Sequence, residues 1–437
     1  MFKTFRNAWK VPELRSKILY TLLIILIFRI GCHVPVPFID PDALKEMFSA
    51  TDGSIFSYMN ILSGGALSQA TLFSLSIQPY INASIIVQLL TYALPPLENL
   101  QKEGESGRKK LQKITSFVSL GIALVMAYAY FMTLRSNHVL NYTGGFAGVF
   151  TGAVIVLAFT AGASLVIWLG NRVNEKGIGN GISIILFAGI VSRGPGAIRT
   201  MFVNASENKH LYIVIPFVLL VFVAMIGFIV FMNESERRIP IQYAKRVVGR
   251  KQYGGQNTHI PIKIAMSGVM PIIFAMAIMQ LPSTLRLFIN PDNTTNPDGF
   301  WHKFYVGFLN FFNYQSPWYA ILYFLLIIAF NYFYVSMQYN PIEIANNLRQ
   351  NNGGIPGIRP GKPTSDYIQR VLGKITLVGA FFLGVIAILP IFTSLAIKGL
   401  NISMGGTSIL IVVSVVLETV RTLESQMMMR HHKGFLE

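Results

Sequence analysis

The chain has 437 residues, of which 52% are hydrophobic and only 13% are charged, and its formal net charge is +17. Soluble domains carry about 25% charged residues, so this composition excludes an ordinary water-facing globular surface. In a soluble protein the positive charge would suggest nucleic-acid binding, but in a membrane protein it is typical of basic cytosolic loops.

Ten apolar segments are long enough to cross a bilayer as helices. Each backbone within lipid must satisfy its own hydrogen bonds, and these runs are too continuously apolar for the alternating strands of a barrel. The predicted fold class is therefore all-α, a polytopic membrane protein. In chain order the predicted spans are residues 17–38, 71–94, 114–134, 148–170, 179–199, 211–232, 262–286, 317–339, 372–396 and 405–420.

The placement of Lys and Arg predicts the orientation of these spans. With the N-terminus in the cytosol, most basic residues fall in cytosolic segments, which favours an even number of spans and two cytoplasmic termini. The loops 233–263 and 340–374 are longer and more polar than orientation alone requires. We interpret them as docking surfaces for a large partner.

Two pairs of spans indicate an internal repeat. After Pro79 in the second span and Pro271 in the seventh, Ile, Ala, Ile, Gln and Leu recur at the same positions, and the fifth and tenth spans also align. Both pairs are five spans apart, so the second copy would lie upside down in the membrane. This predicts two inverted five-helix halves, residues 1–200 and 201–437, around a central path.

The membrane segments contain little chemistry. Arg29 is the only clear charge within a predicted span, and we expect it to bond backbone carbonyls or reach the interface rather than take part in transport. Pro363 follows Gly361 and Lys362 where a phosphate-binding loop requires Ser or Thr. We predict no enzyme activity, no cofactor and no metal site. A small-molecule secondary transporter and an intramembrane enzyme remain as alternatives.

Several sequence blocks resemble the SecY family of protein-conducting channels. They occur in the order found in that family and cover essentially the whole chain. The blocks are Ser63–Ser68, Pro79–Ile86, Gly177–Ile184, Arg237–Arg246, Tyr253–Pro261, Asn340–Asn347, Pro356–Gly361 and Gly405–Ser408.

This resemblance implies a clamshell of two five-helix halves around an hourglass pore for unfolded polypeptide. Such a channel translocates secretory chains across the membrane and releases hydrophobic segments laterally into it. An aliphatic neck gives ions no replacement for their hydration and gives a passing chain no specific hydrogen bonds. By resemblance the pore ring at this neck consists of Ile77, Ile81, Ile182, Leu186, Ile273 and Ile411.

The repeat supports this ring independently, because it places Ile81 opposite Ile273 and Leu186 opposite Ile411. The resemblance also implies a plug segment, a short helix at about residues 61–72, that blocks the pore from outside. Each glycine lowers helix stability by roughly 1 kcal/mol, which suits a segment that must leave its site, although an external Gly-rich turn would have the same composition. The central plug residues are Ser63, Gly64, Gly65, Ala66 and Leu67.

The seam between spans two and seven would be the lateral gate. Asn82, Gln88 and Gln280 are its uncharged polar groups, and they bond either across the seam or within their own spans.

The resemblance further implies the partners and the location. The docking loops would bind the ribosome or the SecA motor ATPase through Arg246, Arg250 and Arg359. SecE and SecG would be accessory subunits, and secretory and membrane proteins the substrates. The expected location is the lipid bilayer of the bacterial inner (plasma) membrane.

Overall fold

A computed structural model gives the architecture for most of the chain. It describes residues 6, 8–49, 60, 63–142, 144–207, 211–243, 246–248, 251–253, 257–288, 307–308, 311–312, 316–396 and 406–433. The helices up to residue 207 are α1 (Pro12–Gly31), α2 (Pro41–Ser49), α3 (Gln78–Ala93), α4 (Pro95–Lys102), α5 (Glu105–Ser136), α6 (Gly145–Lys176) and α7 (Gly181–Glu207), with a 3-10 turn at Leu67–Gln69.

The later elements include five short strands. They are α8 (Leu211–Glu234), β1 (Glu236–Tyr243), β2 (Arg246–Val248), β3 (Lys251–Tyr253), β4 (Asn257–Lys263), α9 (Met270–Phe288), α10 (Pro317–Gln338), α11 (Pro341–Gln350), β5 (Gly353–Gly354), α12 (Lys362–Ala396) and α13 (Gly406–Lys433).

Each of the ten predicted spans overlaps a described helix, which confirms the all-α class, although residues 32–38 of the first span and 71–77 of the second are not α-helical. These helices are α1, α3, α5, α6, α7, α8, α9, α10, α12 and α13. Within the described residues, five helices are long and apolar enough to cross a membrane by length and composition alone, and α3 with α4 would make a sixth. The described apolar parts of α7 and α9 are shorter, at Gly181–Gly196 and Met270–Met279.

The second span ends in a sharp bend. The axes of α3 and α4 differ by 100°, and Leu94 between them is extended, with φ −112° and ψ 115°. Because a residue before proline is driven out of the helical region, Pro95 accounts for this break. α4 has no buried residue and packs beside α3 and α5.

Helix pairings recur five spans apart. In the first part of the chain α3 packs on α5, α5 on α6, and α6 on α7; in the second part α9 packs on α10, α10 on α12, and α12 on α13. The two groups meet where α7 packs on α13 and where α9 packs on α3 and α5. This recurrence is what an internal repeat requires, while the division at residue 200 stays a prediction.

A small sheet joins the two predicted docking loops, a feature absent from the sequence interpretation. β1 lies between β4 and β5 with antiparallel pairing on both sides, and β2 forms a separate hairpin with β3. Ile239 and Ile241 on β1 are buried, as are Ile262 and Ile355, in one apolar cluster that α11 and α12 also supply. The two loops therefore fold as one body.

Candidate functional site

A central cavity of about 990 Å³ lies between the two groups of helices. Along α13 the residues that line the cavity change from aliphatic, at Ile411, to charged and polar, at Glu418, Arg421 and Gln426. The same change occurs along α3, from Ile81 to Gln88. The cavity is thus a funnel that is polar at one end and aliphatic at its floor.

The structure brings all six predicted pore-ring residues into one apolar cluster. Ile77, Ile81, Leu186 and Ile411 are buried members of it, and the half-buried Ile182 and Ile273 pack against it. All except Ile77 line the floor of the cavity. Side chains from α3, α7, α9 and α13 therefore converge at the neck, although their role in conduction stays a prediction.

The register of α13 separates two neighbouring candidates for the ring. Ile411 lines the cavity and belongs to the cluster at the neck, whereas Leu410 packs into the cluster formed by α8, α9, α10 and α12. Sequence alone did not distinguish these residues, because both are large, aliphatic and adjacent.

The described part of the plug segment lies directly against this neck. Ala66 is fully buried and belongs to the same cluster as the pore ring, and Leu67 is buried against α5 and α6. Gly64 and Gly65 have φ values of +67° and +92°, which favour glycine. Its described part, residues 63–72, is a turn with one 3-10 element at Leu67–Gln69 and not the expected short helix, because the glycines take up positive φ values. Residues 61 and 62 lie outside the described residues.

Two residues outside the sequence-predicted site, Arg29 and Tyr130, contact the plug segment. Arg29 donates from Nη1 to the Gly64 carbonyl at 3.4 Å and to Ser192 Oγ at 2.9 Å. The Tyr130 hydroxyl donates to the Leu67 carbonyl at 2.8 Å. The expectation that Arg29 bonds backbone carbonyls is thereby confirmed. Tyr130 carried no sequence signal, since tyrosine is common in membrane helices.

The predicted lateral-gate residues make bonds that stay within the first group of helices. Gln88 Nε2 donates to Ser84 Oγ at 3.2 Å in its own helix, and Asn82 Nδ2 lies 3.9 Å from the sulfur of Met126 on α5. Asn82 therefore faces α5 rather than α9. Gln280 lies on α9, but its side chain is outside the described residues.

The predicted docking residues have different surroundings. Arg359 is exposed in the turn between Gly357 and Gly361, whose φ values are +80° and +102°, and its carbonyl accepts a hydrogen bond from Thr364 Oγ1 at 2.9 Å. Arg246 begins β2, with its side chain outside the described residues. Arg250 itself lies outside them.

Charged side chains line the polar end of the cavity, namely Lys263, Glu418 and Arg421. Arg421 donates to the Asn233 carbonyl at 2.9 Å, which links α13 to the end of α8. Burial lowers the pKa of Lys263, the nearby Arg421 lowers it further, and Glu236 partly opposes these effects. Within the described residues no group of three or more His, Cys, Asp or Glu could hold a metal ion.

Comparisons with known proteins agree with this geometry. The sequence model of the SecY family matches residues 71–420. The protein translocase subunit SecY of Streptomyces coelicolor is 40% identical to this chain, and the match covers 100% of both chains.

Two solved structures share the fold. One, reported as showing that the plug domain of a SecY protein stabilises the closed channel and maintains a membrane seal, matches with a TM-score of 0.60 at 19% identity, covering 96% of each chain. The other, Sec61 in a canine ribosome–channel complex, matches with a TM-score of 0.57 at 17% identity and the same coverage.

A multi-pass helical bundle with a polar funnel and an aliphatic floor defines a membrane channel. The match over most of the chain and the full-length relative then identify the family: the chain belongs to the SecY family. It is a subunit of a protein-conducting channel, and the secondary-transporter alternative is not favoured.

Proposed function

We propose that this chain forms the pore through which unfolded secretory polypeptides cross the bacterial inner membrane. The observation that carries the proposal is the convergence of five aliphatic side chains from four helices, with Ile77 just before α3, below a polar funnel. A narrow aliphatic neck dewets and so impedes ions, yet it makes no sequence-specific bonds with a sliding chain. The plug segment packed beneath it completes the seal.

The two groups of helices would act as the inverted halves 1–200 and 201–437. In this arrangement, α9 is the moving edge, because it packs on α3 and α5 across the junction. Separation there would open a lateral route into lipid for a hydrophobic segment. Membrane-protein segments would leave the channel by this route.

The sheet that joins the docking loops is the proposed contact for cytosolic partners. Its exposed arginines suit an anionic surface, such as ribosomal RNA, or acidic patches on the SecA motor. A related channel of the same fold is described in a ribosome complex. SecE and SecG would complete the complex in the membrane, and both termini of this chain would be cytoplasmic.

Single cysteines at Ile81 and Ile273 test the pore directly. In a Cys32→Ser background, each should form a disulfide with a single cysteine in a stalled secretory chain, because both side chains line the neck. Cysteines at Leu22 and Leu220, which are 53% and 66% exposed, serve as controls on the outer helix faces. If neither neck position reacts while the controls do, the pore assignment is wrong.

A further inference from the structure

The plug segment is gripped through its main chain. The Gly64 carbonyl accepts from Arg29, the Leu67 carbonyl accepts from Tyr130 at 2.8 Å, and the Ser63 carbonyl lies 3.9 Å from the Cys32 sulfur. All three contacts use carbonyl groups of the segment. None of these three contacts therefore uses a side chain of the plug segment as its acceptor.

Tyr130 makes the shortest of these contacts. Its side chain is buried, and its ring lies 5.2 Å from that of Phe159 on α6, so the hydroxyl is held in place. If the plug segment moved away, the buried Tyr130 hydroxyl would lose its hydrogen-bond partner, which costs free energy. This bond therefore stabilises the plug segment in its position at the neck. The thiol of Cys32 is by comparison a weak donor at a longer distance.

Arg29 acts at the other end of the segment. Ser192 accepts from Arg29 Nη1 and donates to the Gly189 carbonyl at 2.7 Å, so the guanidinium is oriented by α7. A Cβ atom at position 64 would lie 2.9 Å from Arg29 Nη1 and 3.2 Å from the Gly189 Cα. Glycine at this position thus permits the carbonyl to reach Arg29.

We propose that Tyr130 is a positioning residue that, together with Arg29, holds the plug segment in its seat by bonding its carbonyls. The inference rests on the proposed function, since it assigns the retention of that plug to the channel wall. Opening then requires the Tyr130 and Arg29 bonds to break, and the strength of these bonds sets how often an idle channel opens.

Tyr130→Phe tests the proposal, because it removes only the hydroxyl. The variant is placed in the complete translocase, reconstituted in planar bilayers without substrate, and the ion current is recorded. Loss of one hydrogen bond should raise the idle current roughly 2- to 10-fold. Tyr128→Phe is the matched control, since Tyr128 lies on the same helix and is 43% exposed on its outer face.

A deletion background separates plug retention from general damage to the helices. In a channel that lacks residues 63–67, Tyr130→Phe should leave the current unchanged, because the acceptor is gone. The proposal is overturned if the intact channel shows no rise in current, or if the rise persists in the deletion background. Positive crosslinks at Ile81 and Ile273 beside an unchanged current would refute only the grip, whereas absent crosslinks would refute the pore.

Discussion

An arginine within a membrane span must find acceptors, because an unpaired charge at that depth is expensive. The hydrogen-bond partners of Arg29 could be predicted only in part from the sequence. Sequence reasoning predicted that Arg29 bonds backbone carbonyls or reaches the interface, and the structure shows the first, with Ser192 as a second acceptor. The identity of the acceptor could not be predicted, since Gly64 is 35 positions away and is brought near by the external turn.

Gly64→Ala should loosen the plug at the scale of one residue. The alanine would be forced into a left-handed conformation that costs about 1–2 kcal/mol, and its Cβ would press on Arg29 and the Gly189 backbone. A change of that size shifts an equilibrium by roughly 5- to 30-fold. The idle ion current through the reconstituted translocase should rise accordingly.

Gly121→Ala is the control for this substitution. Gly121 is an exposed residue inside α5, and an added Cβ would meet no atom within 4 Å. It should leave the current at the parental value. An unchanged current in Gly64→Ala as well would show that position 64 tolerates a side chain and that the plug is seated differently.

At the scale of elements, the sheet is the largest departure from the sequence interpretation. In β1 the apolar residues Ile239 and Ile241 occupy alternate positions, as the buried residues of a strand do. However, β1 contains Pro240 and β4 contains Pro261, and a proline argues against a strand. Furthermore, β5 comes from a loop more than a hundred positions later. The helical spans were predictable because the length of an apolar run is enough to identify a membrane-spanning helix. The pairing of strands from distant loops depends on the tertiary fold.

Arg359→Glu should abolish motor-driven translocation without unfolding the channel. The side chain is exposed in a rigid turn between two glycines, so reversal of its charge should repel an acidic partner. Secretion into inverted membrane vesicles measures the activity, and thermal unfolding measures the integrity of the fold.

Arg135→Glu makes the same charge change at the far end of α5, where the residue is exposed and away from the sheet. This control should translocate normally. Full activity in Arg359→Glu would remove this arginine from the docking surface.

At the scale of the whole molecule, the sequence repeat anticipated the arrangement of helix pairs. It did so because matching apolar patterns impose matching contacts in the two groups of helices. The bonds of Asn82 and Gln88 were less predictable, since an apolar pattern does not say which neighbouring helix a polar side chain on α3 faces. Their bonds to Met126 and Ser84 depend on the rotation of α3 about its axis.

A double substitution, Gln88→Leu and Gln280→Leu, tests the lateral gate. Gln88 bonds within α3 in this structure, so the double variant tests whether the two glutamines also interact across the seam, where polar contacts between membrane helices contribute about 0.6 kcal/mol on average. Their removal should lower the signal hydrophobicity needed for export, measured with a series of signal segments of graded Leu content.

Gln338→Leu is the comparison for the gate, because Gln338 lines the same cavity but lies on α10. It should keep the parental threshold. A threshold that stays fixed in the double variant would exclude these glutamines as gate residues.

The sheet between the docking loops also has a mechanical consequence. β1 follows α8, β4 leads through residues 264–269 to α9, and β5 attaches the loop before α12 to the same ladder. A load placed on either loop by a docked partner is therefore shared among three spans at once. In the proposed arrangement the sheet would pass such a load on to α9, whereas two unpaired loops would move independently of each other.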